Sequence, residues 1–99
     1  MAQAADFDSD TGGRLRLRGR LDFTSVAPLW RRLRSHCADA VQVDLGGVES
    51  ADSAGLALLI ACMREAAQAG ASVRFLNMPP QLLDIARLSD LDEILPLEG

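Results

Sequence analysis

The sequence contains no lysine and no tyrosine, and all ten of its basic residues are arginine. Without lysine there is no phosphate-binding loop of the nucleotide-hydrolase type, and the pair Gly46-Gly47 lacks the further glycines of a dinucleotide fingerprint. Cysteine is scarce. Cys37 and Cys62 are not in CxxC spacing and the one histidine is His36, so neither a disulfide scaffold nor a metal cluster is expected. Two reduced, partly buried thiols fit the habits of free cysteine better. No apolar run approaches the roughly 18 residues of a membrane span, and the longest, from Leu56 to Met63, is far too short. The segment from Met1 to Asp10 is acidic with no basic start, unlike a secretory signal. The expected location is therefore cytoplasmic. Ser53 stands outside any G-x-S-x-G elbow and has no histidine at telling spacing, which argues against nucleophilic catalysis. No catalytic residue, metal or cofactor is expected, and the chain reads as something other than an enzyme.

What remains is 99 residues that are 48% hydrophobic and 24% charged. That is one ordered domain over 1–99, near the lower end of self-sufficient cores. The net charge of −4 hides an uneven distribution. Residues 14–36 carry seven arginines against Asp22, while residues 37–99 carry three arginines against ten acids. An acidic total argues against nucleic acid as a partner.

Arg14-Leu15-Arg16-Leu17-Arg18 alternates strictly, the signature of a half-buried strand with Leu15 and Leu17 inward. Gly19 closes it or marks a bulge. The arginine stripe of Arg14, Arg16, Arg18 and Arg20 is then a solvated face, with anionic headgroups or an acidic partner as the functional alternative. Val26, Leu29, Trp30, Leu33 and Cys37 fall on one face of a helix, with Ser25 as its N-cap and Pro28 tolerated in the first turn. Residues 41–45 read as a short inner strand ended by Gly46-Gly47. A second helix over about 53–69 stops at Gly70. A strand over 72–76, a helix over 80–89 opened by Pro80, and a last strand over 94–97 complete the pattern, with a weak edge strand near 6–8 inside an otherwise loose 1–12. Strands alternating with helices imply a mainly parallel sheet of four to five strands carrying three helices, an α/β fold.

The informative stretch is Asp44-Leu45-Gly46-Gly47-Val48 followed by Asp52-Ser53-Ala54-Gly55-Leu56. Ser53 falls at a helix start, where its hydroxyl is a natural cap. A helix N-terminus also favours a phosphoryl group, which Asp52 and Asp22 would repel. With Gly19-Arg20-Leu21-Asp22 before it and Gly70 after it, this set resembles the STAS domain family over nearly the whole chain. The resemblance implies the STAS fold of anti-sigma factor antagonists, with Ser53 at the phosphorylatable position and the loop with the following helix as partner surface. Leu21-Asp22-Phe23, Pro28-Leu29-Trp30, Ala57-Leu58-Leu59 and the early stop at Leu95-Pro96-Leu97 are most similar to the small STAS subunits of Mla phospholipid transporters. That implies a non-catalytic protein docked on an ABC ATPase subunit, peripheral to the inner membrane through it. The alternative is an antagonist phosphorylated on Ser53 by an anti-sigma factor kinase.

The second helix supports a docking surface independently. At 100° per residue, Leu56, Leu59, Ile60, Met63, Ala66 and Ala67 form a core stripe. The opposite arc of Ala54, Ala57, Leu58, Ala61, Cys62, Glu65 and Gln68 carries no charge in its first two turns. Either other parts of the chain or a partner must cover it. The candidate partner-binding residues are Asp22, Gly47, Asp52, Ser53, Ala54, Gly55, Ala57, Leu58, Ala61 and Cys62, with Leu58 as anchor. A homodimer through this face is the expected substitute when the partner is missing.

Overall fold

A computed structural model of the chain describes residues 5–98. The elements are β1 (Asp6–Ser9), β2 (Arg14–Leu21), α1 (Val26–Cys37), β3 (Gln42–Ala51), α2 (Ser53–Gln68), β4 (Arg74–Leu76), α3 (Pro80–Leu88) and β5 (Leu97–Glu98). The strands make one five-stranded sheet whose spatial order equals the chain order. β1 runs antiparallel to β2, and β2 through β5 are parallel. Sequential parallel crossovers of one hand put all three helices on the same side of the sheet. There α2 packs between α1 and α3.

The core lies in that single interlayer. β2 buries Leu15, Leu17 and Leu21, and β3 and β4 add Val43, Leu45 and Phe75. The helices supply Leu29, Leu33, Cys37, Leu56, Leu59, Ala66 and Leu82. Among the described residues no helix covers the other side of the sheet, and the arginine stripe lies on it as expected. It is not a free cationic strip. The antiparallel register sets Asp6 opposite Arg18 and Asp8 opposite Arg16. The Arg18 guanidinium pairs with both Asp6, at 3.2 Å, and Asp8, while Arg32 of α1 reaches Asp6 from the helix side. Phe7 faces the helices, its ring edge-on to His36 at 5.1 Å and beneath Arg32. A short acidic strand is thus held by one aromatic contact and a ladder of opposite charges.

Three boundaries differ from the sequence reading. β3 does not stop at Gly46-Gly47 but continues to Ala51. The register against β2 shifts between Arg16 and Arg18 and again between Gly19 and Arg20. A bulge absorbs the glycine pair. A Cβ on Gly47 would stand 3.0 Å from both the Arg18 Cβ and the Leu17 carbonyl oxygen, so only glycine lets β3 run this close. β4 is limited to three residues. β5 begins only at Leu97, because residues 92–95 turn. The helices match more closely: α2 ends at Gln68, and Gly70 follows with φ +77°.

Candidate functional site

The C-terminal ends of β2 and β3 meet the start of α2, and the backbone there is tied by two carboxylates. Asp22 follows β2. Its Oδ1 accepts the Thr24 N–H at 3.0 Å, the Thr24 hydroxyl at 2.8 Å and the Ser25 N–H at 3.2 Å. Ser25 occupies the N-cap position of α1 without a cap hydrogen bond of its own. Its hydroxyl instead donates to the Arg20 carbonyl and accepts the Asp22 N–H. These hydrogen bonds, the Thr24 hydroxyl first, hold the Asp22 carboxyl below its ordinary range.

Asp52 is the second tie. The sequence offers Ser53 as the cap of α2, yet the cap is Asp52, whose side chain accepts the Ala54 N–H at 2.8 Å. Its own N–H donates to the Leu21 carbonyl at 3.1 Å, which fixes it in extended conformation beside β2. Its other carboxylate oxygen accepts the Phe23 N–H at 3.3 Å. One side chain therefore caps a helix and pins the loop after β2. Ser53, relieved of capping, is the first helical residue and is exposed.

Gly55 explains how α2 sits so close. A Cβ there would lie 2.9 Å from the Leu21 carbonyl oxygen and 3.0 Å from the Leu21 Cβ. The first turn of α2 presses its backbone directly on the end of β2.

The structure divides the expected partner-binding residues into two groups. Ser53 and Ala57 are exposed, and Asp22, Asp52, Ala54 and Ala61 are half-buried on the same edge. Gly55, Leu58 and Cys62 are buried, with Leu58 2% and Cys62 1% exposed. They correct the sequence reading: α1 covers that flank, so Leu58 is a core residue and no surface anchor. The Arg34 side chain bridges the two helices to Glu65 at 2.8 Å. The Cys37 thiol meets Cys62, and that contact together with burial pushes Cys37 far up, leaving it a protonated, inert thiol. Gly47 lies in the bulge of β3, level with Arg18 and on the far side of the sheet from α2. The uncovered line of α2 is Ser53, Ala57, Ile60, Ala61 and Arg64, so its first two turns are uncharged after all, but along a rotated stripe. Ile60, expected in the core, is half-buried.

Two neighbours escaped the sequence reading. Gln81, in the first turn of α3, accepts the Ala51 N–H at 3.0 Å and ties a third loop to this edge. In the sequence Phe23 stands out only as part of a motif, yet the residue is 85% exposed. The signal available was an aromatic between Asp22 and Thr24, in a turn rather than on a periodic face. Further back along β3, level with Arg16, Asp44 accepts from the Asn77 amide at 2.9 Å and the Gly46 N–H at 2.8 Å, which lowers its pKa. A cleft of about 490 Å3 is formed at the opposite edge by the β1–β2 turn with His36 and Asp39. Among the described residues no group of three or more His, Cys, Asp or Glu is arranged to hold a metal, and no helix is long and apolar enough to cross a membrane.

The family model described as "Mlab, STAS domain" matches residues 5–96. The comparison with curated proteins returns no match. Similar solved structures include the anti-sigma factor antagonist SpoIIAA in its unphosphorylated form, 19% identical over 97% of this chain and 89% of that one, with a TM-score of 0.72. An anti-sigma factor antagonist from Mycobacterium paratuberculosis is 22% identical over 97% and 85%, with a TM-score of 0.75. The Bacillus cell fate determinant SpoIIAA in its phosphorylated form is 19% identical over 97% and 92%, with a TM-score of 0.61. At these identities the likeness establishes the fold alone.

Proposed function

The chain belongs to the STAS domain family, and from that premise we propose that it is a non-catalytic docking subunit of a Mla-type phospholipid transport system. It binds the ABC ATPase subunit and supports its assembly or activity. The contact runs along Ser53, Ala54, Ala57, Ile60 and Ala61, flanked by Asp22 and Asp52. Gly55, Leu58 and Cys62 hold that surface from beneath, and Gly47 seats β3. Such a protein works in the cytoplasm, peripheral to the inner membrane through its partner. The observation that carries this reading is the uncovered stripe of α2, uncharged from Ser53 to Ala61. Small side chains there let a partner's helix approach closely. When the partner is missing, the same stripe pairs two copies of the chain.

Co-purification of the tagged chain with the ATPase subunit of its own transporter tests this. Ala61→Asp is expected to abolish the complex while leaving the chain folded. A complex that survives that charge removes the reading.

A second reading has its own observation: Ser53 is exposed at the first helical position because Asp52 has taken over the cap. An anti-sigma factor kinase would then phosphorylate it, and the added charge beside Asp52 and Asp22 would break docking. Intact mass after incubation with ATP and a cognate kinase decides. One added phosphate supports the switch, and an unchanged mass excludes it.

A further inference from the structure

We infer that Phe23 is the anchor of the docking surface, and that the site it enters is an apolar pocket edged by basic side chains on a protein partner. This rests on the docking function proposed above and adds the residue and the partner chemistry.

Phe23 is 85% exposed, whereas the other two phenylalanines are packed, Phe75 in the core and Phe7 against it. Single exposed apolar side chains are ordinary on protein surfaces, so it is the setting of this ring that marks it. Its backbone is tied at its N–H and by the turn that follows it. Its N–H donates to Asp52, the preceding Asp22 closes a turn over Thr24 and Ser25, and both carboxylates are themselves fixed by α2 and by the start of α1. A rigid backbone presenting a free aromatic ring is what an interface anchor requires, because little freedom remains to be lost on binding.

The hydrogen bond to Asp52 sets Phe23 beside the N-terminus of α2, so the ring and the Ser53–Ala61 stripe belong to one surface. The chemistry of the occupant follows from the flanks. Asp22 and Asp52 place two carboxylates beside Phe23, and Arg20 lies 3.9 Å from Asp22. That margin repels anionic lipid headgroups and is complementary to arginine or lysine on a protein.

Leu88 is the built-in control. It is 88% exposed, but at the end of α3, on the opposite edge of the sheet from the α2 N-terminus. Binding of the full chain to its transporter's ATPase subunit is measured by calorimetry for wild type, Phe23→Ala, Leu88→Ala and Ala57→Asp. Because Phe23 contributes little to the core, Phe23→Ala keeps the fold, as circular dichroism verifies. The expected result is at least about thirtyfold weaker binding for Phe23→Ala, unchanged binding for Leu88→Ala, and affinity that falls as salt rises. If Ala57→Asp abolishes binding and Phe23→Ala does not weaken it, the anchor is wrong and the docking function stands. Equal losses for Phe23→Ala and Leu88→Ala, or a salt-independent affinity, overturn the anchor or its basic rim respectively. Phe23-dependent binding of the chain to vesicles of anionic phospholipid assigns the ring to a membrane and overturns the proposal. If wild type does not bind the ATPase subunit, the docking function fails and the anchor with it.

Discussion

Two flanks of α2 have similar composition and opposite surroundings. One carries Leu58 and Cys62, and α1 lies over it with Cys37 and the Arg34–Glu65 bridge. The other carries Ser53, Ala57 and Ala61, and nothing among the described residues covers it. Both are free of charge for two turns. Lack of charge therefore says only that a surface is to be covered. Which flank is covered from within depends on where α1 falls, and that is a property of topology.

The sharpest way to break this comparison is to place the same charge on each flank. Leu58→Asp buries an unpaired carboxylate where a leucine was packed, a loss of about 4 kcal/mol or more against a total stability of roughly 5–15. Chemical denaturation is expected to show the steepest fall in midpoint of the variants named here, toward zero denaturant for a domain at the low end of that range. Gly55→Ala comes next. Its new Cβ meets the Leu21 carbonyl, and lifting the first turn of α2 costs about 1–3 kcal/mol. The unfolding midpoint falls accordingly, and docking weakens because the stripe tilts with the helix.

Acid separates the flanks more gently. The edge beside the open stripe is held in part by Asp22, and the junction of β3 with the loop after β4 by Asp44, both with lowered folded-state pKa values. Their stabilisation is complete at neutral pH and is lost as pH falls below about 4, through the folded pKa. Asn77→Ala removes the largest cause of the Asp44 shift, so carboxyl NMR is expected to show Asp44 protonating at higher pH than in wild type. The smallest effect on stability belongs to Ala57→Asp. On the uncovered flank it shifts stability by no more than about 0.5 kcal/mol. An unfolding midpoint that drops as far as that of Leu58→Asp would erase the distinction between the flanks.

The strict alternation of β2 and the spacing of Leu29, Leu33 and Cys37 were legible because each repeats over several residues against one neighbour. The same holds for the end of α2 at Gly70. The continuation of β3 was not legible: Gly46-Gly47 reads as a stop, yet pairing with β2 uses backbone groups that glycine also has. The cap of α2 was ambiguous for a different reason. Asp52 and Ser53 are both good caps, and the choice is made by a hydrogen bond to Leu21, thirty-one positions earlier in the chain. Leu58 and Cys62 were misplaced because a helical wheel records polarity and carries no information on what lies opposite. Phe23 left no periodic trace at all.

The strand order has a consequence for how the molecule comes into being. Because each strand pairs with its predecessor, every β–α–β unit closes over a short separation and none waits for a distant segment. Units so close in the chain favour rapid folding of the whole domain in one cooperative step. The outer strand β1, laddered by charge against β2, shields that edge from stray pairing with other chains.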